Sequence, residues 1–269
     1  MKDAAHREDT WSAGDAYEHY VGRWSRPVAA EFLEWLAVPA DARWLDVGCG
    51  TGALSEAILE RAAPQEVVGI DAAEPFVDFA QRRIRHPPAK VRQGDAQSLP
   101  CDDAEFDAAV AGLVLNFVPD PVQAVREMMR AVRRGGTVAV YVWDYAGEMQ
   151  LMRRFWDAAV LLDPAARDLD EGQRFPICQL ERLLALWRDA GLVNTAVRVI
   201  DIPTVFRDFD DYWMPFLGGQ GPAPGYCVSL SEAEREALRE HLRATLPAAA
   251  DGTIPLQARA LAVRGARPM

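Results

Sequence analysis

The 269-residue chain is 50% hydrophobic and carries a formal net charge of −11 at neutral pH. This length allows one large domain or two small ones with an ample core, and the acidic balance argues against a general nucleic-acid binder, which needs a basic face. No apolar run reaches the roughly 18 residues of a membrane-spanning helix, and the first ten residues lack an apolar signal core. The four cysteines show no metal-ligand spacing. We therefore expect a cytoplasmic protein with no membrane insertion and no metal.

The first predicted element is a helix near the N-terminus. Pro27 suits the first turn of a helix, and apolar residues from Val28 to Leu36 recur after it at the spacing of one buried face. The stretch from Tyr17 to Trp24 that precedes this helix is rich in aromatic residues.

A strand, a glycine turn and a second helix follow one another. Trp44 to Val47 has the apolar character of a buried strand, and residues 53–63 continue as a helix. Between them, Gly48, Gly50 and Gly52 supply a turn that needs positive φ or close backbone approach. We expect this turn to direct backbone N–H groups and a helix N-terminus at a ligand.

Acidic residues around the turn bear on which ligand it holds. Asp46 stands just before the glycines, where it would repel a pyrophosphate and attract an ammonium group. Asp71 ends the next predicted strand, Glu66 to Ile70, and its carboxylate can accept hydrogen bonds from both hydroxyls of a ribose. Cys49 fills a small-residue position within the turn. Because the glycine spacing also satisfies the dinucleotide fingerprint, an NAD-dependent oxidoreductase remains open.

Two further strands end at the same predicted edge of the sheet. Lys90 to Gln93 precedes the acidic turn Gly94 to Ala96, and the apolar run Phe106 to Ala111 precedes Gly112 to Leu113. Ligands of open α/β sheets bind at the carboxyl ends of the strands. We therefore expect a binding site at this edge.

The next predicted helix has clear signals at both ends. Asp120 to Pro121 predicts its N-cap and first residue, and 133–135 predicts a basic last turn followed by a left-handed glycine cap. Thr137 to Val142 is then the fifth strand. Trp143 and Tyr145 follow it at the ligand edge, where they would wall a pocket.

The C-terminal half is predicted to complete the sheet. Residues 148–162 and 180–187 have the spacing of amphipathic helices, and Val193 to Val205 and Ile254 to Val263 alternate as strands. These two strands would form an antiparallel pair, separated by an insertion from Arg207 to Asp251.

The insertion has the composition of a lid over a small-molecule pocket. Its Gly/Pro-rich run, 218–225, is predicted to be flexible, and Ser231 with Glu234 forms a capping box for a following helix. An aromatic cluster precedes the run: Tyr212, Trp213 and Phe216.

Several of these motifs together carry a family resemblance. Asp46 before the glycines, the turn Gly94 to Ala96 and the run Arg133 to Gly136 resemble class I S-adenosylmethionine-dependent methyltransferases over residues 17–145. The small-molecule type that includes the quinone-biosynthesis methyltransferases is the most similar. The resemblance implies an α/β fold, a Rossmann-like sheet of seven mostly parallel strands with helices on both faces, an antiparallel last strand and helical lid elaborations. It implies S-adenosyl-L-methionine as cofactor and S-adenosyl-L-homocysteine as product.

The resemblance also implies roles for single residues. Tyr20 and Arg23 would lie near the methionine end of the cofactor, with Arg23 paired to its carboxylate. Asp95 would accept from the adenine amino group, the Ala96 N–H would serve a ring nitrogen, and Ala72 would leave room for the ring. The remaining implied cofactor contacts are Asp46, Gly48, Cys49, Gly50, Gly52, Asp71, Gly112 and Leu113.

The acceptor side is predicted from composition and position. Trp143, Tyr145 and the aromatic cluster of the insertion would wall the acceptor pocket. A sulfonium methyl group is already activated, so orientation and exclusion of water can suffice for catalysis. Asn116 and His19 are the candidates for a catalytic role, Asn116 by orienting a nucleophile and His19 by accepting a proton.

Residues 1–40 are thus expected to form a helical cofactor cover and residues 41–145 the S-adenosylmethionine-binding core. Residues 146–269, with the insertion at about 207–251, would complete the same domain. The expected function is methyl transfer to a small, partly apolar or aromatic molecule. A non-catalytic S-adenosylmethionine-binding module and the NAD-dependent oxidoreductase remain as alternatives.

Overall fold

The computed structural model describes residues 18–219 and 221–269, with side chains from Tyr20 onward. Within these residues the strands are β1 Arg43–Val47, β2 Glu66–Asp71, β3 Ala89–Gln93, β4 Phe106–Gly112, β5 Val132–Trp143, β6 Val193–Phe206 and β7 Ile254–Ala266. They form one sheet in the order β3-β2-β1-β4-β5-β7-β6. Neighbours from β3 to β5 pair in parallel, and β7 is antiparallel to both β5 and β6. The predicted Rossmann-like α/β fold is confirmed.

Helices flank this sheet. They are α1 Arg23–Leu36, α2 Ala53–Arg61, α3 Glu74–Arg83, α4 Pro121–Ala131, α5 Gln150–Leu162, α6 Glu171–Arg174, α7 Leu180–Asp189, α8 Phe209–Trp213, α9 Pro222–Ser229 and α10 Glu232–Thr245. A π-helical turn, Glu18–Gly22, leads directly into α1, and short 3₁₀ turns occur at Leu115–Phe117, Pro164–Leu169 and Met214–Gly218. None of the helices in the described part of the chain is long and apolar enough to cross a membrane.

The centre of the sheet is buried. Residues Ala108 to Ala111 of β4 are at most 1% exposed, because the sheet is covered on both faces, as expected for an inner parallel strand. On one face Trp187 of α7 is fully buried, and its indole N–H donates to the carbonyl oxygen of Val138 on β5 at 3.1 Å. The carboxyl ends of β1, β2, β3 and β4 therefore extend from a sheet whose centre is fixed by packing on both faces.

The helix before β5 begins as predicted and ends earlier than predicted. The Asp120 carboxylate caps α4 by accepting from the Gln123 N–H at 2.9 Å. The helix stops at Ala131 and the next residue already pairs with Phe106 of β4, so Arg133 lies in β5 and binds Asp107 at 2.5 Å. The prediction that Arg133 and Arg134 end this helix is wrong, because the chain enters β5 at Val132. Gly135 has the predicted left-handed backbone, with a φ of 73°, but it lies within β5 rather than at the helix cap.

The insertion between β6 and β7 is more ordered than its composition predicts. Helix α9 begins within its Gly/Pro-rich run, with Pro222 in the first turn and with Ala223 and Cys227 fully buried. The capping box of Ser231 and Glu234 at the start of α10 is confirmed. A buried helix therefore lies where the sequence predicts a flexible run.

Candidate functional site

The glycine turn after β1 adopts the strained backbone that its sequence predicts. Gly48, Gly50 and Gly52 have φ of 69°, 53° and 90°, values that favour glycine. A Cβ at position 48 would lie 2.5 Å from a methyl carbon of Val114, so the turn also approaches the end of β4 too closely for any side chain. The turn therefore needs glycine for both conformation and space.

The N–H groups of this turn are used within the protein. Those of Gly48 and Cys49 donate to the Ile70 carbonyl oxygen at 2.7 and 3.0 Å, and that of Gly52 donates to the Cys49 carbonyl oxygen at 2.8 Å. The Gly50 N–H donates to Asp71 Oδ2 at 2.8 Å. The prediction that the turn offers these groups to a ligand is wrong, and a pyrophosphate would find four of them already bound.

Asp71 is both a structural and a candidate binding group. Its Oδ1 accepts from the Ala73 N–H at 2.9 Å while its Oδ2 holds Gly50. Burial raises its pKa above the usual range, and the two backbone hydrogen bonds act in the opposite direction. Each carboxylate oxygen has a second lone pair, so the side chain can still accept hydrogen bonds from a ligand in the cleft that it lines.

A cleft of about 940 Å³, counted with its open mouth, lies at the carboxyl edge of the sheet. The Asp95 carboxylate at its rim accepts from the Gln97 N–H at 2.8 Å. The cleft brings together these predicted cofactor residues: Gly48, Gly50, Asp71, Ala72, Asp95, Ala96, Gly112 and Leu113.

A second cavity of about 350 Å³ adjoins the cleft behind the glycine turn, and Asp46 and Cys49 line it. Asp46 Oδ2 accepts from the Ser55 hydroxyl at 2.6 Å, while Oδ1 is buried with no partner among the described residues. Burial raises the pKa of Asp46 to about 7, against the opposing Ser55 hydrogen bond. A cation placed beside this carboxyl would supply a hydrogen-bond partner for Oδ1. Its positive charge would also favour the ionised form of the carboxyl.

A third, much smaller cavity lies on the other side of Leu113, and we call it the aromatic chamber. Its wall consists of Tyr20, Val21, Leu113, Phe117, Trp143, Tyr145, Met152, Glu171 and Pro222. Trp143 and Tyr145 thus line a pocket, as their position after β5 predicts. Tyr20 lines this chamber rather than the cavity of Asp46. Glu171 was missed by the sequence analysis, because the residues around it do not distinguish it from a solvent-exposed glutamate in the first turn of a helix.

Leu113 joins the three cavities, since it lines each of them. It has a φ of 63°, which is uncommon for a residue with a side chain, and its N–H donates to the Tyr141 carbonyl oxygen at 2.8 Å. Strained backbone of this kind persists where the surrounding structure holds it, often at binding sites. The end of β4 is therefore the meeting point of the site.

Some predicted site residues lie elsewhere. Arg23 binds Asp211 at 2.9 Å and lies over the rings of Trp24 and Phe206, so its charge is paired outside the three cavities. A Cβ on Gly52 would meet Ile84, behind the turn. The predicted acceptor-pocket residues of the insertion are almost fully buried in packing contacts and line none of the three cavities: Tyr212, Trp213 and Phe216.

The two catalytic candidates have different outcomes. The side chain of His19 lies outside the described residues. Asn116 sits in the 3₁₀ turn that follows β4 and is 9% exposed. Both polar atoms of its amide are buried without a partner in the described structure, and it lines none of the three cavities.

Three cavities thus meet at the carboxyl edge of a Rossmann-like sheet, and the carboxyl groups of Asp71 and Asp46 line two of them. Residues 45–140 match the family described as "Methyltransferase domain". The predicted resemblance to class I S-adenosylmethionine-dependent methyltransferases of the quinone-biosynthesis type is therefore confirmed over this part of the chain.

Two relatives illustrate the match. A 2-phytyl-1,4-naphtoquinone methyltransferase of Thermosynechococcus vestitus is 38% identical over 110 residues, covering 40% of this chain and 49% of that protein. A demethylmenaquinone methyltransferase of Lactobacillus johnsonii is 34% identical over 115 residues, covering 41% of this chain and 47% of that protein. The chain thus spans about half the length of these relatives.

A solved structure supports the fold over a longer stretch. Phosphoethanolamine N-methyltransferase 2 of Haemonchus contortus, in complex with S-adenosyl-L-methionine, superposes with a TM-score of 0.60 at 14% identity. The superposition covers 95% of this chain and 57% of that one. At this identity the similarity is one of fold.

Proposed function

We propose that this chain transfers the methyl group of S-adenosyl-L-methionine to a small, largely apolar or aromatic acceptor. The observation that carries the proposal is the meeting of three cavities at Leu113, each with a different chemical character. The carboxylate of Asp71, which could accept from ribose hydroxyls, lines the cleft, and the buried carboxyl of Asp46 lines the second cavity. Aromatic rings line the third cavity. A cofactor bound across the first two would present its methyl group at the third.

The residues fit this cofactor. Asp71 would hold the ribose hydroxyls, Asp95 and Ala96 the adenine, and Asp46 the ammonium group of the methionine part, with Gly112 beside it. The orphaned Oδ1 of Asp46 is the strongest sign of fit, because an ammonium is the partner it lacks. When bound, the cofactor supplies a methyl group that is already activated as a leaving sulfonium.

The protein then contributes orientation and exclusion of water. A held, in-line geometry can lower the barrier by about 7–11 kcal/mol in the best cases. The aromatic chamber would hold the acceptor against the end of β4, and the segments 1–40 and 207–251 would cover the site. Asn116, with its unpartnered amide, and His19 remain the proposed candidates for orienting the acceptor or accepting its proton.

The same geometry disfavours the dinucleotide alternative. A pyrophosphate needs free N–H groups, and four in the glycine turn are already bound within the protein. The buried Asp46 would also repel its charge. The net charge of −11 further favours a small molecule over a nucleic acid as acceptor.

Calorimetric titration with S-adenosyl-L-homocysteine and, separately, with NAD tests the proposal. We expect micromolar binding of the former, about −8 kcal/mol, and no heat from NAD. Asp71→Ala should weaken S-adenosyl-L-homocysteine binding by about 1–3 kcal/mol, because a buried carboxylate loses its bonds to the ribose. The matched control is Asp78→Ala, which removes an exposed carboxylate of α3. Binding of NAD in place of S-adenosyl-L-homocysteine would overturn the proposal.

A further inference from the structure

The aromatic chamber contains two buried oxygens without a hydrogen-bond partner among the described residues. They are Tyr20 Oη and Glu171 Oε1, and both residues are 1% exposed. Nearly all buried polar groups in proteins are paired, and each unpaired one costs about 1–3 kcal/mol. Two such oxygens in one small, otherwise apolar wall point to a ligand that supplies their partner.

The surrounding structure holds Glu171 in this position. Its other oxygen, Oε2, accepts a hydrogen bond from the indole N–H of Trp156 on α5. The preceding residue, Asp170, caps α6 by accepting from the Gly172 N–H at 2.8 Å and receives both terminal nitrogens of Arg153 at 2.6 and 3.1 Å. The carboxyl is thus held at Oε2, on a helix start that Asp170 fixes, and Oε1 has no partner among the described residues.

We propose that Tyr20 Oη and Glu171 Oε1 together bind one oxygen atom of the methyl acceptor. The acceptor is then a largely apolar ring compound with a phenol-type or enol-type hydroxyl group. This inference rests on the proposed function and adds the acceptor class that the function leaves open. The apolar rings of Phe117 and Trp143 would contact the rest of the acceptor.

Both oxygens carry a proton at neutral pH. Burial raises the pKa of Glu171 to about 8. The hydrogen bonds from Trp156 and from the backbone N–H of Glu171 itself act in the opposite direction, followed by a smaller rise from Asp170 and a smaller decrease from Arg174. Burial, and after it the charge of Glu171, raises the pKa of Tyr20 well above its usual range. The other groups that raise it are Tyr145, Tyr212 and Cys227.

A neutral carboxyl and a phenol can both donate hydrogen bonds. In an apolar site such a pair stabilises an oxyanion, because a protonated carboxyl donates where a carboxylate would repel. The acceptor hydroxyl would release its proton to water, and its oxyanion would accept the two hydrogen bonds. The electron-rich acceptor then forms a bond to the methyl carbon as the carbon–sulfur bond breaks. The electron pair of the broken carbon–sulfur bond stays on sulfur.

The pair predicts a pH dependence with a definite sign. Above about pH 8 the Glu171 carboxyl loses its proton and becomes negative. It then repels the acceptor oxyanion, so affinity for a phenolate falls as the pH rises through this value. A carboxylate acting as a base would give the opposite dependence.

The experiment uses the protein saturated with S-adenosyl-L-homocysteine and two probes, 4-nitrophenol and 4-nitrotoluene. The two have nearly the same shape, and only the first has an ionisable oxygen, whose ionised form absorbs visible light. We expect at least tenfold tighter binding of 4-nitrophenol at pH 7, together with a larger ionised fraction than in solution at the same pH. Its affinity should fall above about pH 8.

The variants separate the two donors. Tyr20→Phe should weaken 4-nitrophenol binding at least tenfold without affecting 4-nitrotoluene, as expected for a hydrogen bond to a charged group. Glu171→Gln still donates and cannot ionise, so its affinity should persist above pH 8. The matched controls are Tyr226→Phe, beside the chamber and outside its wall, and the exposed Glu181→Gln. Both should behave as the unmodified protein.

Equal affinities for the two probes, or a phenolate affinity that does not fall above pH 8, would overturn this inference. So would a Tyr20→Phe variant that binds 4-nitrophenol like its control. The pH series on the unmodified protein keeps the test valid even if a variant does not fold. A protein that does not bind S-adenosyl-L-homocysteine would instead overturn the proposed function.

Discussion

The cofactor cleft and the aromatic chamber lie on opposite sides of Leu113 and are built in different ways. The cleft consists of short segments that each follow a strand, at β1, β2, β3 and β4. The chamber takes Tyr20 from the N-terminal turn, Trp143 from β5, Glu171 from α6 and Pro222 from α9. One region depends on local signals and the other on packing between distant parts of the chain.

Different interactions therefore stabilise the two regions. In the cleft, hydrogen bonds between neighbouring strand ends hold Asp71 and the glycine turn in place. Beyond the chamber, the packing of aromatic rings holds the insertion against helix α5, as in the stacked pair of Phe155 and Phe216 with ring centres 4.4 Å apart. Damage to the insertion should therefore appear first in stability, and damage to the strand ends first in cofactor affinity.

The largest expected effect of a single substitution is on stability. Phe216 is fully buried and contacts Tyr20 as well as Phe155, so Phe216→Ala should lower the free energy of unfolding by about 3–5 kcal/mol. Chemical denaturation measures this loss. The exposed Leu217→Ala is the matched control. Cofactor affinity of the folded variant should stay close to that of the unmodified protein, and a large loss there would mean that the two regions are not separate.

The next effect is a dependence of stability on pH. Asp46 has a folded-state pKa of about 7, raised from 3.8, so the folded state keeps a proton that the unfolded state releases. This contribution to stability is fully present below about pH 4 and is lost as the pH rises through 7, at about 1.4 kcal/mol per pKa unit. The raised pKa of Glu171 adds a second contribution to stability, which is likewise lost as the pH rises through about 8.

Denaturation of the ligand-free protein between pH 4 and pH 8 measures this dependence. Asp46→Asn should remove the part of the decline that ends near pH 7, and Glu171→Gln the part that continues to pH 8. A decline that is equally steep in Asp46→Asn would show that this carboxyl does not hold a proton in the folded state.

The smallest effect concerns Arg23, which the family resemblance placed at the cofactor carboxylate. Its ion pair with Asp211 is partly exposed, so Arg23→Met should cost about 1 kcal/mol of stability or less. Titration with S-adenosyl-L-homocysteine should give an unchanged affinity. A tenfold weaker affinity in the folded variant would restore the role predicted from the sequence.

Much of the cleft could be predicted from the sequence because its signals are local. Alternate glycines, an acid at a strand end and an apolar strand each specify their own conformation within a few residues. The bounds of the first four strands, to within one residue, and the capping box at Ser231 followed from the same kind of signal. The end of α4 did not, because pairing of Val132 with β4 overrides the preference of the segment itself.

The sequence by itself determined the order of strands and helices, the glycine turn and the carboxylates at the strand ends, since each depends on the conformational preferences of neighbouring residues. Only the tertiary structure decided which polar groups are left unpaired. Asp46 Oδ1 and Glu171 Oε1 are buried by segments far away in the chain, and burial is what raises the pKa values of their carboxyl groups. That burial depends on how distant elements pack, which no short stretch of sequence specifies.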